Sequence, residues 1–171
     1  MKNIQKILLI VLFISFTVGV NAQTKPKFGH IDSQELLKLM PGKDSAKTVI
    51  DEFRKELEAQ LLDMNKEYEL KVNTYVSERD NLTPLIKQIR EQEIQDLQAR
   101  IEKFQTDATT LFQEKEESLL QPIIDKAKEA IEKVAKANKY TYVFDSGVGF
   151  LLYKEDSDDI LPLVKKELGI E

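Results

Sequence analysis

The sequence predicts a mostly α protein in which a long antiparallel helical hairpin projects from a small β body shared between chains. Three observations carry this reading. From Asp44 to Arg79 no Pro or Gly interrupts a highly charged run with a narrow apolar stripe, the pattern of a long exposed helix. A turn signal at Asn81-Leu82-Thr83-Pro84 leads into a second run of the same kind. Short alternating segments rich in aromatic residues lie only at the two ends of the chain, and they are too few to close a core within one protomer.

The elements follow in chain order. Lys2 and Lys6, the apolar run over residues 7–20 and the small-residue site at Val20-Asn21-Ala22 read as a secretory signal peptide over residues 1–22. The run is shorter than the roughly 20 apolar residues a membrane anchor needs. Lys27-Phe28-Gly29-His30-Ile31-Asp32 reads as a short strand, and Asp32 with Glu35 three residues later forms a capping-box pattern for a short helix ending at Pro41-Gly42. The first long helix starts at Asp44 or Ser45. Its apolar positions Ala46, Ile50, Phe53, Leu57, Leu61, Met64, Tyr68, Val72 and Tyr75 repeat in steps of three, four and four, a period of about 3.67 that suits a nearly straight rod.

At the turn, Asn81 is expected in the left-handed conformation, Thr83 as the next cap and Pro84 as its first helical residue. The return helix carries Ile86, Ile89, Ile94, Leu97, Ile101, Phe104, Ala108 and Leu111, with heptad spacing from Ile94 onward. Gln121-Pro122 is expected to kink or restart it before Ile123, Ile124, Ala127, Ile131 and Val134 carry an apolar face on to Asn138. Alternation then replaces the helical period. Tyr140, Tyr142 and Phe144, a turn at Ser146-Gly147-Val148-Gly149 and the run Phe150-Leu151-Leu152-Tyr153 predict a β-hairpin. An acidic run, Glu155 to Asp159, leads into a last helix with Pro162 in its first turn. The domain reading is a signal peptide at 1–22, a β-containing oligomerisation body from 23–43 and 122–171, and a helical arm over 44–121. Phe28, Ile31, Tyr142, Phe144, Phe150 and Leu152 are its candidate interface residues, because two short helices cannot cover them.

Composition removes several function classes. With no Cys and one His, the chain has no thiol nucleophile, disulfide scaffold or Cys-ligated metal site. The net charge of −5 falls to −7 once Lys2 and Lys6 are removed, which argues against nucleic acid as a partner. Asp156, Asp158 and Asp159 read as a helix cap and dipole partner, not a cation site. Glu56, Asp63, Glu67 and Glu114 read as a solvated face. Asp32 and Asp145 end strands with no nucleophile or oxyanion donor beside them, and Ser146-Gly147-Val148-Gly149 is too short for a phosphate loop. His30 reads as a packed strand residue. No catalytic constellation, metal site or cofactor is expected, so the chain is read as a non-enzyme.

This order of parts resembles the periplasmic chaperone family called Skp or OmpH. The resemblance runs from the signal peptide through a strand like Phe28-Gly29-His30-Ile31-Asp32, a short helix and a hairpin of tentacle length. It continues through a segment like Ile131-Glu132-Lys133-Val134-Ala135-Lys136-Ala137-Asn138-Lys139-Tyr140 to a strand ending near Asp145. It implies a jellyfish-shaped homotrimer with a central β-barrel body and helical arms around a cavity. It also implies ATP-independent holding of unfolded outer-membrane β-barrel proteins in the periplasm. Met64, Tyr68, Tyr75, Ile86, Ile89, Leu97, Ile101 and Phe104 are the candidate client contacts, Tyr68 and Tyr75 foremost, since a phenol ring tolerates being half wet. The chain departs from the family's basic arms: Arg79, Lys87 and Arg90 near the turn are offset by Glu78, Asp80, Glu91 and Glu93, which argues against charge-steered capture of acidic clients, lipopolysaccharide or membrane. The alternative function is a coiled-coil envelope protein tethering one folded partner.

Overall fold

A computed structural model describes residues 25–170, so the signal-peptide segment lies outside the described residues. Strand β1 (Phe28–Ile31) runs into helix α1 (Ser33–Leu39), and α2 (Lys43–Glu78) rises away from it. A 3₁₀ turn (Arg79–Asn81) reverses the chain into α3 (Pro84–Ala137), which returns the full length of α2 and continues into the body. Strand β2 (Tyr142–Asp145), a second 3₁₀ turn (Asp156–Asp158) and α4 (Leu161–Leu168) complete the order. At 1.5 Å per residue α2 is about 54 Å long and α3 about 81 Å.

Local chemistry sets the element ends. The Asp32 carboxylate accepts from the Glu35 N–H at 2.9 Å, satisfying an amide the first turn of α1 leaves without a partner. Helix α2 begins one residue earlier than its side chains suggest: Gly42 precedes it at φ 88° and no side chain caps it. At the arm turn Thr83 Oγ1 accepts from the Ile86 N–H and Pro84 opens α3, as its chemistry predicts. Asn81 does not adopt the left-handed conformation. The 3₁₀ turn reverses the chain without it, and among non-glycine described residues only Lys139, at φ 59°, has positive φ. There it closes α3: the Tyr140 N–H donates to the Ala135 carbonyl and the Lys139 N–H to that of Lys136, a Schellman closure made without glycine. Gly169, at φ 68°, closes α4 with the equivalent pair of bonds.

Two expectations are corrected here. Of the kink or restart expected at Pro122, the restart does not occur: α3 continues through it as one helix. Proline removes one N–H and crowds the preceding turn, but Pro122 faces solvent, where water can satisfy the freed carbonyl. The β-hairpin is also absent. β2 pairs in parallel with β1, Phe28 opposite Tyr142 and Ile31 opposite Asp145. Phe150 to Tyr153 form no strand, so the described part of the body holds two strands, extended only by an isolated bridge from His30 to Asp159. Parallel pairing needs a crossover, and here the whole arm is the crossover.

The body core is small. Ile31, Leu36, Met40, Ala127, Ala130, Val134, Ile160, Leu161 and Val164 form one buried cluster joining β1, α1, the base of α3 and α4. Gly29 is needed because the Tyr140 ring lies against the strand: a Cβ there would come within 2.9 Å of Tyr140 and 3.1 Å of Ile160.

Candidate functional site

Two surfaces stand out, the arm and the exposed face of the sheet. In the arm, the α2 stripe predicted from spacing is the packed one: Ala46 and Ile50 are buried and the stripe from Phe53 to Tyr75 is half-buried. The cross-helix contacts step backwards along α3 as they step forwards along α2. Arg54 lies over the Phe112 ring at 4.9 Å and Lys115 over Phe53 at 5.9 Å. Lys71 meets Glu93 at 3.5 Å, and the Tyr75 hydroxyl donates to Glu91. Glu91 in turn raises the Tyr75 pKa, chiefly through that hydrogen bond.

The eight arm candidates divide by exposure. Ile86 and Ile89 are exposed, while Met64, Tyr68, Tyr75 and Phe104 are half-buried along the seam. Leu97 and Ile101 are buried, 1% and 8% exposed, and seal the two helices together; they offer no surface in this conformation. Spacing alone missed another group. Leu62, Leu70, Val76 and Leu85 lie off the stripe and are more than half exposed. Their signal was available in the sequence: apolar residues on a helix face that a single packed partner leaves uncovered. Shallow grooves run beside them. One of about 190 Å³ near the turn is lined by Leu70, Lys71, Thr74, Tyr75, Glu78, Arg90, Glu93 and Ile94. Another, of about 420 Å³, lies between Leu57, Leu61, Phe104, Ala108 and Phe112 at mid-arm.

On the body, Phe28, Tyr142 and Phe144 form an aromatic ladder on one sheet face, with ring centroids 5.9 to 6.3 Å apart. All three remain exposed, and Phe150 and Leu152 beside the sheet are almost fully so. Ile31 departs from the expected interface set. It points to the other face and is 3% exposed within its own protomer, because alternate strand residues face opposite sides.

The ends of β1 and β2 meet at a polar joint. Asp145 accepts from the Ser33 N–H at 3.2 Å, from the Ser33 hydroxyl and from the Gly147 N–H at 2.9 Å. Partial burial pushes its pKa up, but the Ser33 hydroxyl and the two backbone N–H groups outweigh this and hold it below 3.8. Gly147 must be glycine, since a Cβ would collide with the Asp32 carboxylate. His30 is buried; its Nε2 donates to the Glu155 carbonyl at 2.8 Å and its Nδ1 has no partner. Among the described residues no three His, Asp or Glu side chains converge as a metal site requires, and no helix is long and apolar enough to cross a membrane.

Comparison with known proteins adds three findings. The sequence model of the family described as outer membrane protein (OmpH-like) matches residues 27–168. No curated protein matches the chain. Among solved structures, the crystal structure of an OmpH-like protein from Caulobacter crescentus CB15, bearing the name outer membrane chaperone, is similar with a TM-score of 0.70. The alignment covers 88% of each chain at 11% identity, a likeness of fold.

Proposed function

Because the chain belongs to the OmpH-like outer membrane protein family, we propose that it is an ATP-independent periplasmic holdase that keeps unfolded outer-membrane β-barrel proteins soluble before insertion. The family and its chaperone-named structural relative support the chaperone role. The observation that carries the finer reading is the arm itself: a two-helix rod whose packed stripe leaves Leu62, Leu70, Val76, Leu85, Ile86 and Ile89 exposed among charged side chains. An unfolded barrel strand alternates apolar and polar residues, and its apolar side chains aggregate in water unless covered. Scattered contacts on a long surface suit a chain without fixed shape better than a deep cavity does. Met64, Tyr68, Tyr75 and Phe104, half-buried along the seam, extend the same contact surface.

The holding unit is a homotrimer whose shared β core forms from the ladder of Phe28, Tyr142 and Phe144 together with Phe150 and Leu152. Residues 23–43 and 122–171 make this body and 44–121 the arm. A self-association surface is the economical reason for five large apolar side chains to stand exposed on so small a body. The test is native mass spectrometry and light scattering of the protein mixed with a urea-unfolded outer-membrane barrel diluted into ATP-free buffer. The expected result is a soluble complex of one oligomer with one client. An oligomer that leaves the barrel aggregating at its unaided rate overturns the reading.

A further inference from the structure

The exposed apolar residues of the arm sit in a field of one sign. Residues 44–121 carry eighteen Asp and Glu against eleven Lys and Arg, a balance of −7, while residues 23–43 and 122–171 together carry twelve of each. The charge imbalance of the chain beyond residue 22 thus lies wholly on the arm. Ion pairing does not remove it. Asp51, Asp63, Glu67, Glu93 and Asp107 have cationic partners within 4.0 Å, and the other thirteen arm acids have none. Only five arm cations, Lys55, Arg79, Lys87, Arg100 and Lys115, are left without an acidic partner.

Acid and apolar groups also share faces. Glu58, Leu62, Glu69 and Val76 follow one another at steps of four, seven and seven, which on a helix stacks them along one side. All four are exposed, and none of the acids among them is paired. Two lysines fall on the same side: Lys66 is held by Asp63 at 3.1 Å, while Lys55, three residues before Glu58, has no acidic partner and leaves the two glutamates in excess.

We propose that this face selects its occupant by charge: an extended polypeptide segment that is apolar and net positive, with Lys or Arg interleaved among its hydrophobic residues. This deepens the holding role and rests on it. Apolar side chains of the client cover Leu62 and Val76 while its cations approach Glu58 and Glu69. Beyond contact, the arm's field draws cationic segments in and turns acidic ones away over about 10 Å at 0.1 M salt, an effect expressed mainly in the association rate. Among unfolded clients of equal hydrophobicity, the chaperone therefore prefers the basic ones.

The experiment uses the whole protein and three synthetic peptides: one alternating Leu and Lys, one alternating Leu and Glu, and one alternating Ser and Lys. Affinities are measured by fluorescence anisotropy at low salt and at roughly 0.3 M salt. The Leu–Lys peptide is expected to bind at least about tenfold more tightly than Leu–Glu at low salt, with the gap closing as salt rises. Glu58→Lys with Glu69→Lys, both on exposed helix surface, should shrink that preference while far-UV circular dichroism stays unchanged. Equal or tighter binding of Leu–Glu overturns the charge selection and leaves holding intact. Ser–Lys binding as tightly as Leu–Lys overturns it too, because plain counterion attraction then suffices. If no peptide binds and the unfolded barrel still aggregates, the holding role fails with it.

Discussion

Asp145 ties together two segments 112 residues apart, and it does so with one carboxylate. The N–H and hydroxyl of Ser33 open α1 against it, and the Gly147 N–H closes the turn after β2 on the same oxygens. Hydrogen bonds to an ionised group contribute about 1.5–3 kcal/mol, and they act only on the charged form. Because the folded pKa lies below 3.8, the contribution is complete above that value and is lost as pH falls through the lowered one. Ser33→Ala removes the hydroxyl donor but keeps the backbone bond. It is expected to destabilise the protein by about 1 kcal/mol at neutral pH, with the difference from the unmodified chain fading as the pH falls through the lowered Asp145 pKa. Urea unfolding at a series of pH values reads both; a difference that stays constant with pH would mean that Ser33 acts through helix packing instead. The capping role of Asp32 is legible from Glu35 three residues on, whereas that of Asp145 is not, since its partner Ser33 is far away in sequence.

At the scale of elements, the long helices and their turn were legible because each is specified by neighbours: stripe, cap and turn residues all fall within a few positions. The β-hairpin was not, for a physical reason. Phe150-Leu151-Leu152-Tyr153 is apolar on both faces, so it lacks the alternation that would fix a strand beside β2, and the chain-distant β1 takes that place through Lys27, Thr141 and the ladder. Leu97 and Ile86 show the same limit on the arm. Both are apolar residues of the return helix, yet one is sealed and the other exposed, and only the placement of α2 decides which. Pro122 is the remaining case. Its apolar neighbours Ile123, Ala127 and Ala130 carry one continuous face into the body core, and that packing holds the helix together through a residue that disfavours it. Pro122→Ala restores the N–H that the helix lacks there, and it should raise stability by about 1–3 kcal/mol, read as a higher midpoint in thermal unfolding. A lowered midpoint would mean that a bend at Pro122 aims the arm and is required for the body to close.

For the whole molecule, net charge and the stacked aromatic rings are sorted to opposite ends. The body is balanced in charge and presents stacked rings; the arm is acidic. Copies brought together by their bodies gain apolar burial at about 25 cal/mol per Å², while like-charged arms repel one another within the screening length. The two effects do not compete because they act at different ends, so the proposed association through the body would leave the arms splayed. The aromatic ladder is then the place to break the assembly. In the protomer Tyr142 and Phe144 are 59% and 45% exposed and lie outside the buried cluster, so replacing both with Ser removes association surface while sparing the core. If the proposed trimer forms through these rings, sedimentation equilibrium of the Tyr142→Ser, Phe144→Ser chain is expected to show monomer and that of the unmodified protein a trimer, with helical circular dichroism retained in both. Should the mass stay that of the oligomer, subunits are joined elsewhere, and the exposed rings of the body become a second apolar surface open to unfolded chains, at the root of the arm instead of along it.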